Sequence, residues 1–136
     1  MAIPFLACMA AVAAFYQLPP RVLPSIQAVE GGRPALVHRD ANGTDDLGVM
    51  QVNTRWIAPL ARYTGLTGPA VRARLLDDPC FNIAAAGAIM RTSLNQEHGD
   101  LMRAVGDYHS HTTELNRLYQ AQVAAAARAA VDSSGR

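Results

Sequence analysis

One glutamate, Glu30, occupies a position where its carboxyl group could act as a general acid. The chain has 136 residues but only three glutamates, and Glu30 ends an apolar run at 22–29 just before Gly31-Gly32. At the C-terminus of a helix, apolar surroundings and the helix dipole both raise the pKa of a carboxyl group. General acid catalysis at neutral pH needs such a protonated group. Glu30 is therefore a candidate catalytic acid, and a solvated glutamate at a helix end is the alternative.

A dense polar segment follows, reading DANGTDDLGVMQVNTRW over 40–56. The amides of Gln51 and Asn53 offer paired donors and acceptors that suit sugar hydroxyls and acetamides. Trp56 adds a flat apolar face on which a sugar ring could stack. Taken singly, these polar residues are also good turn and cap formers. Their density predicts a binding cleft where a hairpin meets a helix.

The two cysteines, Cys8 and Cys80, leave two interpretations open. They are either two small core hydrophobes or one disulfide formed in an oxidising compartment. A bridge closing that long loop would stabilise the fold by about 4 kcal/mol in the chain-entropy model. No CxxC motif or Cys/His spacing indicates a zinc site.

The elements that position these residues are mostly helical. An apolar stretch at 1–16 predicts a first helix that buries a single stripe. Further helices are predicted at 21–30, after Gly48, at 70–76, from Pro79 onward, near 100–107 and at 112–130. Asn42-Gly43 predicts one small hairpin within 33–47. The predicted stripes are Phe5, Cys8, Ala11/Val12 and Phe15 in the first helix and Ile83, Gly87, Met90 and Leu94 in the long one. The third helix is predicted to carry Val52, Trp56, Pro59/Leu60 and Tyr63.

Composition narrows the class of protein further. Half of the residues are apolar, so disorder is excluded, and the length allows one domain. Twelve arginines balance eleven acids to a net charge of +1, which excludes a strong general attraction to nucleic acid or anionic lipid. The first apolar stretch is too short to span a bilayer as a helix. A secretory signal begins with basic residues, but none precedes Arg21. We therefore expect an export signal to be absent or removed from this chain.

Four segments together carry a family resemblance over about residues 5–120. They are AVEGG (28–32), NGTDDLGVMQVNTRW (42–56), DPCFNIAAAGAIM (78–90) and AVGDYHS (104–110). This combination resembles the lytic transglycosylase domain of the lysozyme superfamily, most of all the small versions that accompany type IV secretion, conjugation or type III secretion systems. The resemblance implies a mainly α (α+β), lysozyme-like fold whose early β-hairpin lines the substrate cleft.

The resemblance also implies a reaction and a set of site residues. Glu30 falls on the catalytic glutamate that cleaves the MurNAc–GlcNAc β-1,4 bond of peptidoglycan and yields a 1,6-anhydro product. Gln51 and Asn53 fall on sugar-contacting positions, and Tyr108 on a tyrosine that lines the cleft. We add Met50 and Trp56, from the same central motif, to the substrate-binding set. Cys8 and Cys80 match a pair that is disulfide-linked in several small members, which implies a periplasmic or cell-envelope location.

Three positions depart from the family pattern. Gly31 replaces the serine that usually follows the glutamate, and His109 replaces the usual asparagine after the late tyrosine. Asp46 falls where lysozymes carry a second carboxylate, which most lytic transglycosylases lack. Because side chains alternate along an extended segment, only one of Asp45 and Asp46 can face the cleft, and we favour Asp46.

The sequence therefore predicts a peptidoglycan-cleaving enzyme with a catalytic domain at 1–125 and a frayed C-terminal tail at 126–136. Two alternatives stay open: a muramidase that uses Glu30 and Asp46 with water as acceptor, and a non-catalytic glycan-binding or assembly module. The expected partners are glycan strands and components of a secretion or conjugation apparatus, with no nucleic acid and no membrane span. We expect no cofactor and no metal, since the family context makes His109 and His111 part of a loop and helix cap.

Overall fold

The computed structural model describes residues 4–134, with side chains described up to residue 130. This part of the chain is mainly helical, as predicted. Its helices are α1 (Leu6–Tyr16), α2 (Val22–Glu30), α3 (Ile57–Thr64), α4 (Gly68–Asp77), α5 (Pro79–Gln96), α6 (Leu101–His109) and α7 (Thr113–Ser134), with a short 3-10 helix at Thr54–Trp56.

A small antiparallel sheet interrupts the helices after α2. Its strands are β1 (Val37–Arg39), β2 (Asp45–Leu47) and β3 (Val52–Asn53), arranged in the order β1-β2-β3. The predicted hairpin is confirmed as β1 and β2, with Asn42-Gly43 in the connecting turn and Gly43 at φ 87°. The third strand was not predicted. It pairs with β2 through Leu47 and Val52.

The long helix α5 forms the centre of the core. Ile83, Ala86 and Met90 are completely buried along it, and the predicted stripe is thereby confirmed. A side chain at Gly87 would overlap Val12 and Tyr16 of α1, so this glycine allows the two helices to pack closely.

A disulfide between Cys8 and Cys80 ties α1 to the beginning of α5. Its two Cα atoms are 5.6 Å apart across 72 positions of sequence. The cysteines therefore form a bridge and are not a pair of separate core residues.

The buried face of α1 differs from the predicted one. Met9 and Ala13 are buried, whereas Phe5 is 39% and Phe15 is 75% exposed. The helical period was correct, but the phase was wrong by one residue. In a helix where almost every position is apolar, the sequence does not distinguish one face from another, and contact with α5 decides which face is buried.

The helix predicted directly after Gly48 is also wrong in its first part. Gln51 adopts φ 52° and Val52–Asn53 pairs as β3, so helical backbone begins only at Thr54. The Asn53 side chain accepts a hydrogen bond from Arg55 N at 2.9 Å, which caps the 3-10 helix. Pro59 then lies in the first turn of α3, where a missing N–H costs nothing.

The last helix is longer than predicted, since α7 continues through residue 125 to Ser134. The division into a catalytic domain at 1–125 and a tail at 126–136 stays a prediction. Within the described residues, no helix combines the length and apolar character needed to cross a membrane.

Candidate active site

The end of α2 fixes the position of Glu30. Gly31 follows it at φ 66° and closes the helix with a hydrogen bond to Gln27 O at 2.8 Å. A side chain at Gly32 would overlap the backbone carbonyls of Gly48 and Val49. The two glycines thus turn the chain and let the Glu30 end of α2 lie directly against the central motif.

A buried asparagine of α5 holds that motif from the other side. Asn82 is completely buried, and its Nδ2 donates to Leu47 O and Leu75 O, each at 2.8 Å. Its Oδ1 accepts from Met50 N at 2.8 Å. Gly48 lies against the same side chain with φ 72°, where any larger residue would overlap it. These contacts fix the backbone of residues 47–50 relative to the helical core.

Glu30, the sheet and the junction of α6 with α7 enclose an open cleft of about 380 Å³. Its lining comprises Glu30, Asp40, Ala41, Asn42, Asp46, Gln51, Asn53, Arg55, Tyr108, His109, Ser110, His111 and Leu115. The structure therefore brings five predicted site residues together: Glu30, Asp46, Gln51, Asn53 and Tyr108.

Glu30 has the electrostatics of a general acid. Burial raises its pKa from 4.5 to about 7, and the negative charges of Asp46 and Asp40 act in the same direction. The Tyr119 hydroxyl opposes this rise by donating a hydrogen bond to Glu30 Oε2 at 2.6 Å. A carboxyl group with this pKa is partly protonated at neutral pH and is held in one orientation by Tyr119.

Tyr119 itself is firmly positioned. It is buried, and burial followed by the charge of Glu30 raises its pKa far above the ordinary value of 10, so the phenol stays a donor. The ring of His109 stacks on it with centroids 5.1 Å apart and planes 11° apart. The histidine that replaces the usual asparagine thus covers the tyrosine that holds Glu30.

A hydrogen-bonded group on the sheet presents the second carboxylate. Asn53 Nδ2 donates to Asp46 Oδ1 and Thr44 Oγ1, each at 2.9 Å, and to Asp40 Oδ2 at 3.3 Å. Burial raises the pKa of Asp46, the Asn53 hydrogen bond lowers it, and the neighbouring Asp40 raises it again. The neutral amide of Asn53 thus holds the Asp46 carboxylate on the wall of the cleft that also contains Glu30.

Asp45 points away from this cleft. Its carboxylate forms an ion pair with Arg72 of α4 at 3.2 Å, while the next residue, Asp46, lies on the cleft side. This is the alternation expected along β2, and it leaves Asp46 as the carboxylate of the pair that substrate can reach.

Gln51 and Tyr108 line the cleft from its floor. Gln51 is buried and adopts a φ of 52°, and its Nε2 donates to Gly48 O at 3.0 Å. Such a left-handed residue costs about 1 kcal/mol and is typical of functional sites. Tyr108 OH donates to Met50 O at 2.7 Å, which anchors the end of α6 to the central motif.

Met50 and Trp56 do not lie where the sequence placed them. The Met50 side chain is completely buried in the core, and only its backbone supports the cleft. Trp56 faces a separate apolar groove of about 280 Å³ that it shares with Tyr16 and Tyr63. These two residues of one motif face different surroundings because the chain passes through a turn, the strand β3 and a 3-10 helix between them.

Three contributors to this site were missed by the sequence reasoning. Tyr119 comes from 89 residues beyond Glu30 and was not distinguished from other helical core residues. Asn82 stood inside a quoted motif, but no role was assigned to it. His38 lies 3.4 Å from Asp40 and 3.7 Å from Asp46 through its Nδ1 atom, and only the pairing of β1 with β2 brings it there.

Among residues 4–130, His38, Asp40 and Asp46 form the group whose side chains lie close enough together to hold a metal ion. One ligand atom from each of His38, Asp40 and Asp46 lies within 4.8 Å of the others. Both carboxylates already accept hydrogen bonds from Asn53.

Comparison with known protein families decides the class to which this cleft belongs. The model of the transglycosylase SLT domain matches residues 7–130, which include every element that lines the cleft. The chain belongs to the transglycosylase SLT domain family. No curated protein sequence matches it at a significant level.

Membership confirms the lysozyme-like fold that the sequence predicted. SLT domains are typically lytic transglycosylases, and membership implies peptidoglycan as the substrate. The association of this SLT domain with a secretion system stays a prediction.

Proposed function

We propose that this SLT domain is a peptidoglycan lytic transglycosylase in which Glu30 acts first as the acid and then as the base. The observation that carries this function is the carboxyl group of Glu30, which lies in the cleft with its pKa raised to about 7 and is oriented by Tyr119. Such a group both donates and accepts a proton near neutral pH.

The reaction follows from the position of that proton. Protonated Glu30 gives its proton to the glycosidic oxygen between MurNAc and GlcNAc as the bond to the muramyl C1 breaks. The resulting Glu30 carboxylate then takes the proton of the muramyl 6-hydroxyl, whose oxygen attacks C1. The product is a 1,6-anhydro-muramyl end, and Glu30 is protonated again. Gln51 and Asn53 supply amide groups to hold the sugars.

The second candidate function is a muramidase, and Asp46 is the observation in its favour. Its carboxylate lies in the same cleft and its charge acts on Glu30. A second carboxylate stabilises an oxocarbenium-like centre long enough for water to attack, which gives a reducing end.

The cellular role that we propose is local opening of the cell wall for a secretion or conjugation apparatus in the periplasm. The resemblance to the small secretion-associated versions supports it, as does the Cys8–Cys80 disulfide, which suits an oxidising compartment. Fractionation of cells that express the full-length gene tests this location.

Mass spectrometry of the muropeptides released from purified cell wall tests the chemistry. We expect anhydro-muramyl ends from the wild type, a rate that falls as pH rises through about 7, and at least a hundredfold loss in Glu30→Gln. Reducing ends would instead assign the muramidase reaction. Glycan binding without cleavage by the wild type would assign a binding module, and full activity in Glu30→Gln would remove Glu30 from the mechanism.

A further inference from the structure

The cleft is lined by more acidic side chains than arginines. Glu30, Asp40 and Asp46 contribute three carboxyl groups, whereas Arg55 is the one arginine among the lining residues. The chain contains no lysine, so Arg55 is the permanent cation of this surface. A mainly acidic cleft repels an anionic substrate unless a local cation offsets that repulsion.

The backbone of Arg55 is fixed by a helix cap, but no carboxylate pairs with its guanidinium among the described residues. Its backbone N–H is capped by Asn53, and its guanidinium carbon lies 5.8 Å from the centroid of the Trp56 ring. Among the described residues, no carboxylate lies within 4 Å of its guanidinium nitrogens. Its side chain is exposed, so the guanidinium edge is free to bind an anion.

The acids of the cleft are engaged elsewhere. Glu30 accepts from Tyr119, and Asp40 and Asp46 accept from Asn53. Arg55 therefore does not serve to balance any of them by direct pairing. A guanidinium that presents several N–H donors beside an apolar ring is well suited to a carboxylate carried by a bound ligand.

We propose that Arg55 is a specificity-determining residue that binds the carboxylate on the 3-O substituent of a muramyl residue. This rests on the proposed function, because it deepens the assignment of peptidoglycan as the substrate. A muramyl residue differs from N-acetylglucosamine by its 3-O-lactyl group, which ends in a carboxylate or continues into a peptide stem with carboxylates of its own. Arg55 thus distinguishes muramyl glycan from a neutral glycan such as chitin.

Trp56 provides a direct measurement of this binding. It is the single tryptophan of the chain and lies next to the Arg55 guanidinium, so its fluorescence reports on ligands that reach Arg55. Three ligands are titrated into the Glu30→Gln protein: glycan strands with peptide stems, strands freed of stems that carry lactyl carboxylates, and chitin oligosaccharides. Arg55→Gln is then compared with Arg62→Gln, which removes an exposed arginine of α3 outside the cleft.

We expect Arg55→Gln to weaken binding of a carboxylate-bearing strand about tenfold, to leave chitin binding unchanged and to abolish most of the salt dependence. Loss on the stem-free strands alone assigns the lactyl carboxylate, loss on the stem-bearing strands alone assigns a stem carboxylate, and loss on both shows that Arg55 binds whichever carboxylate the 3-O substituent carries. Arg62→Gln should bind all three ligands as the parent does. An equal loss on chitin, or no loss on any ligand, would overturn the assignment. Absence of cleavage by the wild type would count against the proposed function alone, since these affinities do not depend on turnover.

Discussion

At the scale of single residues, Glu30 combines two demands that oppose each other. The fold buries its carboxyl group and exposes it to the charge of Asp46, which favours the protonated form that the proposed first step requires. It also supplies Tyr119 as a hydrogen-bond donor, which favours the carboxylate that the proposed second step requires. The resulting pKa of about 7 suits one side chain to both proposed steps at neutral pH.

The burial that tunes Glu30 has a cost in stability that depends on pH. Its pKa rises from 4.5 to about 7 on folding, so the folded state binds the proton more tightly than the unfolded chain does. The Glu30 contribution is therefore fully favourable below pH 4.5 and is lost as pH rises to 7. Glu30→Gln avoids this loss while its amide still accepts from Tyr119.

We therefore predict that Glu30→Gln matches the wild type in free energy of unfolding near pH 4 and exceeds it by up to about 3 kcal/mol at pH 8. Urea denaturation across this pH range measures the difference. Glu114→Gln, at an exposed position in the first turn of α7, should show no such gain. If the difference in free energy of unfolding between Glu30→Gln and the wild type is the same at pH 8 as at pH 4, the raised pKa of Glu30 is contradicted.

At the scale of elements, one buried side chain of α5 fixes the backbone segment against which the end of α2 lies. Asn82 satisfies three backbone groups, those of Leu47, Met50 and Leu75. The glycines at 32 and 48 allow the same close approach by having no side chain. The geometry of the cleft thus depends on a residue that does not touch the cleft.

Replacing Asn82 tests this arrangement. Asn82→Leu keeps a similar volume but leaves buried backbone groups of Leu47, Met50 and Leu75 without their partner, so we expect a loss of about 3 kcal/mol in stability. Activity at a temperature where the variant is folded should fall as well. Asn95→Leu on the same helix is the matched control, because Asn95 is exposed and its side chain accepts one hydrogen bond, from Arg91, among the described residues. Equal losses in both variants would contradict the role of Asn82.

At the scale of the whole molecule, α1 and α5 are joined both by packing and by the covalent bridge. The close approach at Gly87 and the Cys8–Cys80 disulfide connect the beginning of the chain to the central helix. The intervening segment contains Glu30, the sheet and α3 and α4. Closing this loop therefore restricts the unfolded chain over most of the residues that build the site.

Reduction of the bridge should lower the free energy of unfolding by about 4 kcal/mol, the value for a loop of this length in the chain-entropy model. Guanidinium denaturation with and without a reductant measures the loss. A variant with both Cys8→Ser and Cys80→Ser should have the lower stability under both conditions. If the reductant destabilised that variant as much as the wild type, the effect would not come from the disulfide.

Local sequence was sufficient for most helices and for the candidate acid. Helix ends carry their own signals: Asp78 caps α5 by accepting from Phe81 N, Pro79 starts it, and Gly31 ends α2. These interactions join residues within three or four positions, so the order of residues determines them directly. Glu30 was predictable for the same reason, because its place at a helix end is itself a local property.

The tertiary structure decided which side chains meet. It buried Met50, turned Trp56 into a separate groove, and brought Tyr119 from the last helix to Glu30. It also selected the Met9 face of α1 among equally apolar faces. Each of these outcomes depends on contacts between residues far apart in sequence, and neither hydrophobic period nor local capping contains that information. The sequence by itself therefore determined most helices, the family and the place of the candidate acid at a helix end, whereas packing determined the environment that sets the pKa of that acid.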